Sequence, residues 1–179
     1  LHFYINFANF RPALGYLSNY ESKNIIMNVL FVCVGGICRS PLAKGILQQQ
    51  FDSNKINGKV EAAGLEPHHI GHPVDKRTLR VAKEHSIDLS GYTMRLFSPD
   101  DFNRFDRIYV MDQHDYREVE YVAKKENDMK KVDYVMNVID DEKRSKIVPD
   151  PLYKGYASFE KIYEKLERAC KIIADEASH

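Results

Sequence analysis

Residues 29–41, VLFVCVGGICRSP, begin as an unbroken apolar run and end in a cluster of two cysteines, two glycines, an arginine, a serine and a proline. A run of Val, Leu and Phe without polar alternation reads as a strand covered on both faces. Ser40 and Pro41 then suit a helix start, Ser at the cap and Pro in the first turn. Leu42, Ala43, Ile46, Leu47 and Phe51 follow at helical spacing and give that helix one core face. Strand, tight loop and helix in this order predict the first unit of a parallel α/β domain.

The rest of the chain repeats the alternation. KVEAAG (59–64) reads as a second strand and residues 74–85 as a second helix. FDRIYVMD (105–112) reads as a third strand, followed by a helix over 113–125, and VDYVMNV (132–138) as a fourth strand. Phe159, Ile162, Tyr163, Leu166, Ala169, Cys170 and Ile173 share one face of a last helix, a core stripe. Such alternation implies right-handed crossovers and a parallel sheet with helices on both sides, whose ligands gather at the carboxyl ends of the strands. Cys33 stands at such an end.

A chain of 179 residues is long enough for one domain with its own core. Its 26 basic residues balance 26 acidic ones, so no overall field attracts nucleic acid or an anionic membrane, and neither is expected as a partner. Three cysteines make no disulfide framework and point to a reducing compartment, so a cytoplasmic location is expected. Residues 1–26, rich in Asn, Phe and Tyr, lack helical period and are read as an extension outside a domain spanning 27–179. His2, Asn6, Asn9 and Arg11 interrupt the apolar stretch a signal peptide would need. After Asn28 no apolar run approaches the roughly 18 residues of a membrane span.

The loop itself has the parts of an anion cradle. A phosphate needs several donors at once, and a tight turn feeding a helix offers them as backbone N–H groups, with the helix dipole behind. Val34, Gly35, Gly36, Ile37, Cys38, Arg39 and Ser40 are the candidate phosphate-binding residues, the glycines supplying positive φ without steric cost. The planar fork of Arg39 can hold two phosphate oxygens. The same donors favour a thiolate at Cys33, the form that attacks phosphorus, and Ser40 can hydrogen-bond the sulfur when it leaves. No metal or other cofactor is required. A leaving phenolate needs a proton, and VPDPLYKG (148–155) offers Asp150 between two prolines that stiffen its backbone.

These residues together resemble the low molecular weight protein tyrosine phosphatases, and the resemblance runs from Met27 to the C-terminus. VCVGGICRSP is similar to that family's phosphate loop, AAGLEPHHIGHPVDKR to its second strand and rim loop, and VPDPLY with FEKIYEKLERAC to its acid loop and final helix. The resemblance implies a three-layer αβα fold of the phosphotyrosine phosphatase I-like type, with a four-stranded parallel sheet in the order 2-1-3-4. It implies hydrolysis of phosphotyrosine in protein substrates, with inorganic phosphate as product, by Cys33, Arg39 and Asp150 in a monomer or weak dimer. Ser40 matches the family's loop serine and Asp112 the aspartate that ends its third strand.

Three positions depart from the pattern. Gly36 replaces an Asn that in the family joins a network with a serine and a histidine; Ala62 stands at the serine position, and His85 matches the histidine. The expected consequence is a looser loop and a slower enzyme, testable by Gly36→Asn. The acid loop carries Leu152 and Tyr153 in place of two tyrosines, so Tyr153, Leu152 and His68 are the candidate substrate rim.

Other readings share the scaffold. A phosphotyrosine-binding module without turnover would not need Asp150. Phosphoarginine phosphatases tend to carry Thr where this chain has Ile37, and arsenate reductases need a further cysteine pair, whereas only Cys170 lies beyond the loop. Cys38 is a candidate redox partner that would shield Cys33 from over-oxidation through a reversible bond. HHIGH (68–72) is read as a solvated rim and assigned no metal, for want of a nearby carboxylate or thiolate.

Overall fold

The computed structural model describes residues 26–139 and 147–178. The proposed extension, save Ile26, lies outside them.

The first strand sets the layers. In β1 (Val29–Cys33) every residue is buried, and successive side chains enter opposite faces. Val29, Phe31 and Cys33 pack with α1 (Arg39–Asn54) and the C-terminal helix, whereas Leu30 and Val32 join Phe97, Phe102, Phe105 and Val119 on the other side. β2 (Val60–Gly64) pairs with β1 in parallel, Cys33 opposite Gly64. After it come a 3₁₀ turn at Pro67–His69 and α2 (Lys76–Glu84), which buries Val81 and Ala82 on the α1 side. The short α3 (Asp101–Arg104) leads into β3 (Arg107–Val110), parallel to β1, and then α4 (Gln113–Val122). β4 (Val132–Tyr134) completes a four-stranded, all-parallel sheet in the order β2-β1-β3-β4. α5 (Ala157–Ala177) lays its apolar stripe against α1, with Cys170 fully buried and donating to the Ala43 carbonyl at 3.6 Å.

The architecture is the three-layer one the sequence predicts, with local differences. The fourth strand is three residues, not seven, because Val135–Val138 turn into a 3₁₀ helix that buries Val135 and Met136. α2 begins only after Asp75, whose side chain accepts from the Arg77 amide, and α4 ends at Val122. Ser40 does not cap α1. The helix starts two residues earlier, at Arg39, Cys38 occupies the cap without a side-chain bond, and the Ser40 hydroxyl is committed elsewhere. No helix among the described residues is long and apolar enough to cross a membrane.

Candidate active site

At the carboxyl end of β1 the chain leaves the sheet, turns through residues 34–38 and enters α1. Cys33 is 2% exposed and its Sγ faces the start of that helix. The Ser40 amide donates to the sulfur at 3.4 Å, and Ser40 Oγ lies 3.1 Å from it while also donating to the Ala63 carbonyl at 3.2 Å. The amides of Gly35, Gly36, Ile37, Cys38 and Arg39 donate to no protein acceptor among the described residues. All five residues line a cavity of about 40 Å³ together with Cys33, Val34, Glu66, His69, Asp150 and Leu152. A row of unpaired main-chain donors is rare in folded proteins, and here it surrounds a cavity with sulfur among its walls.

The loop is braced from outside. Val34 O accepts from the amides of Leu65 and Glu66, Ile37 O from Asp75, and Gly36 O from the Tyr92 hydroxyl at 2.8 Å. Gly36 has φ +63°, the left-handed conformation expected of it. A Cβ there would come within 2.7 Å of Gly64 Cα and 2.8 Å of Met94 Cγ, so backbone and Met94 fill the space where the resemblance places an Asn side chain. His85 stacks on Tyr163 instead, ring centroids 3.5 Å apart. Backbone bonds, Tyr92 and packing against Gly64 and Met94 surround the loop where the resemblance places the Asn network.

Arg39, also 2% exposed, is gripped by groups far away in sequence. Its Nη1 donates to Asp112 Oδ2 at 2.6 Å and to the Val148 carbonyl at 3.1 Å, and lies 3.5 Å from Asp115 Oδ2. Its Nη2 donates to Asp150 Oδ2 at 3.4 Å. Burial works against its charge, but Cys33, Asp115 and Asp112 outweigh that and hold the guanidinium above its ordinary value. The Val148 contact ties the acid loop to the arginine, and Val148 N donates in turn to Met111 O at 2.8 Å. Asp150 Oδ1 accepts from the Leu152 amide, so the carboxyl is oriented from both oxygens.

Charge around Arg39 is uneven. Asp112 caps α4 by accepting from the Asp115 amide; burial opposes its ionisation, yet that bond and Arg39 hold its carboxyl below the usual range. Asp115 is fully buried, and burial pushes its carboxyl up to about 7, Arg39 opposing and Asp112 adding to the rise. For Cys33, burial raises the thiol above its ordinary value and outweighs the pull of Arg39 and Ser40, with Asp115 adding to the rise. Donors alone predicted a thiolate. That expectation left out desolvation and Asp115.

The sequence reading placed Cys33, Arg39, Asp150 and the loop residues 34–40 in one site, and the fold brings them together. Of the rim candidates, Leu152 lines the cavity, joined there by His69; Tyr153 is 96% exposed, and the 66% exposed His68 side chain lies against His69, ring centroids 4.1 Å apart. The histidine loop also has the carboxylate it was thought to lack: Glu66 Oε2 is 3.5 Å from His68 Nε2 and 3.3 Å from His69 Nδ1. Three further residues support the site. Asp115 falls within the helix over 113–125, and only its spacing of three from Asp112 carries a signal, that of a cap. Arg77 donates to Asp75, to the Leu152 carbonyl at 2.9 Å and to the Lys154 carbonyl at 3.1 Å, clamping the acid loop to α2. Tyr92 reaches the loop across 56 residues.

Residues 28–178 match the family model described as "Low molecular weight phosphotyrosine protein phosphatase". The chain is 32% identical over 148 residues to the low molecular weight phosphotyrosine protein phosphatase of Gallus gallus, covering 82% of this chain and 92% of that protein. It is 35% identical over 147 residues to the corresponding phosphatase 2 of Drosophila melanogaster, covering 80% and 88%. Among solved structures, the protein tyrosine phosphatase of Entamoeba histolytica superposes with a TM-score of 0.78 at 28% identity, over 84% of this chain and 96% of that one. YfkJ of Bacillus subtilis superposes with a TM-score of 0.78 at 27% identity, over 84% and 94%.

Proposed function

The chain belongs to the low molecular weight phosphotyrosine protein phosphatase family, a class of protein-tyrosine-phosphatase, and we propose that it hydrolyses protein phosphotyrosine and small aryl phosphates through a phosphocysteine at Cys33. The observation that carries this reading is the set of five unpaired amides around the cavity lined by Cys33. The phosphoryl group sits among them, and Arg39, already fixed by Asp112 and Val148, binds equatorial oxygens where charge spreads during transfer.

The S–H proton leaves before attack, to the incoming phosphate ester or to solvent. Sulfur then bonds to phosphorus as the P–O bond to the phenol breaks, and Asp150 protonates the departing oxygen. In the second step the Asp150 carboxylate takes a proton from water, hydroxide attacks phosphorus, and the sulfur leaves as a thiolate with the Ser40 hydroxyl turned toward it. Asp150 suits both steps because it shares the cavity with Cys33 and is held by Arg39.

Hydrolysis of phosphotyrosine, phosphoserine and phosphoarginine peptides, measured side by side, tests the class. Preference for phosphotyrosine, lost in Cys33→Ser, is expected. Stoichiometric binding without phosphate release would favour a binding module, and preference for phosphoarginine would overturn the substrate.

A further inference from the structure

The segment Glu66-Pro67-His68-His69 contributes Glu66 and His69 to the wall of the cavity, and the Glu66, His68 and His69 side chains converge. Glu66 Oε2, His68 Nε2 and His69 Nδ1 all lie within 4.8 Å of one another. Two of the edges are 3.5 Å and 3.3 Å. A tetrahedral ion with bonds of about 2.0–2.1 Å has ligand atoms about 3.3–3.4 Å apart, so these edges already have the length zinc coordination requires. Carboxylate and imidazole are also the right chemistry for a borderline divalent ion.

A second feature points the same way. His69 Nδ1 is enclosed and makes no hydrogen bond among the described residues; its approach to Glu66 Oε2 lacks the alignment of one. The backbone fixes the arrangement, since the Glu66 amide donates to Val34 O, the His69 amide to Glu66 O and the His72 amide to His69 O. The backbone positions of the three residues are therefore set by the fold itself.

We propose that Glu66, His68 and His69 form a binding site for a divalent transition-metal ion such as Zn²⁺. The site adjoins the phosphate loop: Glu66 and His69 line the cavity, and a Cβ on Gly35 would stand 3.5 Å from His69 Nδ1. Three protein ligands leave a fourth position open, and a phosphate oxygen at the cavity mouth can take it. An ion there holds inorganic phosphate in place and slows turnover. This last consequence rests on the proposed phosphatase reading, whereas ion binding itself does not.

Calorimetric titration of ZnCl₂ into the full chain carrying Cys33→Ser and Cys38→Ser removes the competing loop thiols. One equivalent is expected to bind, and affinity should fall about tenfold or more in each of Glu66→Gln, His68→Ala and His69→Ala, since even partners behind the ligands are worth about 10–100-fold. His72→Ala should bind as the parent does. Circular dichroism melts of the variants show whether each is folded. No binding in the parent, or undiminished binding in folded His68→Ala and His69→Ala, overturns the site. In the enzyme with its cysteines intact, Zn²⁺ should inhibit aryl phosphate hydrolysis, and His69→Ala should relieve the inhibition. Zinc binding without any hydrolysis, with or without metal, would sink the phosphatase reading and leave the site standing.

Discussion

Ser40 Oγ lies 3.1 Å from Cys33 Sγ and 3.2 Å from the Ala63 carbonyl, and its single proton can serve only one of them at a time. With a thiol, Cys33 donates to Ser40 and Ser40 to Ala63. With a thiolate, the hydroxyl turns to sulfur and Ala63 O gives up its partner. The serine thus stabilises the charged form, in keeping with its lowering effect on the Cys33 pKa.

Ser40→Ala is expected to raise the pH at which Cys33 becomes reactive. A hydrogen bond to a charged group is worth about 1.5–3 kcal/mol, or roughly 1–2 pKa units. The pH dependence of iodoacetamide alkylation, with Cys33→Ser as the blank, reads this directly. An unmoved midpoint would show that the hydroxyl does not support the thiolate.

Gly36→Asn, which the family pattern suggests as a repair, is expected to do harm. The new Cβ would sit 2.7 Å from Gly64 Cα and 2.8 Å from Gly64 N, and neither backbone atom can move aside without shifting β2. Overpacking of this kind costs about 1–3 kcal/mol. Urea unfolding should register that loss, and hydrolysis of an aryl phosphate should slow. A variant as stable as the parent and faster would support a loosened loop instead.

How much of this was legible in the sequence depends on how far apart the partners lie. The Cys33–Pro41 loop could be read because strand end, glycines, guanidinium and helix start are contiguous, and Asp150 because its flanking prolines announce a rigid turn. Asp115, Arg77 and Tyr92 act through contacts that only tertiary packing creates. Glu66 carries no sequence signal because a 3₁₀ turn, invisible as periodicity, brings it onto the histidines. Ser40 was assigned to the cap by propensity, but the competing demand of the buried sulfur decides its role. The fourth strand was overlong because an apolar run reads alike in a strand and in a buried 3₁₀ turn.

Asp115 should make stability fall as pH rises toward neutrality. Its carboxyl titrates near 7 in the folded protein, against an ordinary value of 3.8. Between about pH 4 and 7 the folded state therefore holds a proton the unfolded state has released, and the protein loses stability across that window; above it the loss is complete. Asp115→Asn keeps the shape and removes the titration. Its Tm should fall less than the parent's over the same range and exceed it at about pH 8 by roughly 2–4 °C per kcal/mol recovered. Parallel curves would exclude the effect.

Cys38 is a slow redox partner by its environment. Burial, with Asp75 and Cys33 adding, pushes its thiol up to about 12, so about one molecule in 10⁵ carries the thiolate at pH 7. Peroxide first converts Cys33 to a sulfenic acid with loss of water; Cys38 thiolate then attacks that sulfur and expels hydroxide. Mass spectrometry should find the Cys33–Cys38 pair, with yield rising steeply with pH at the expense of Cys33 sulfinic acid. A pH-independent yield, or sulfinic acid alone, would reject the protective role.

Asp150 provides the sharpest test of the proposed chemistry, because an acid matters only as much as the leaving group needs a proton. A poor leaving group such as the tyrosine phenolate, with a pKa near 10, depends on protonation, whereas a nitrophenolate departs almost unaided. Asp150→Ala should therefore lower kcat for phosphotyrosine about 10²–10⁴-fold and for a nitrophenyl phosphate far less. The Arg39 contact complicates the picture, since removing the carboxylate also frees one guanidinium nitrogen. Asp150→Asn separates the two effects: it keeps a polar oxygen for Arg39 and the Leu152 amide but cannot donate an acidic proton. If both variants slow the two substrates by the same factor, Asp150 positions Arg39 and the proton comes from elsewhere.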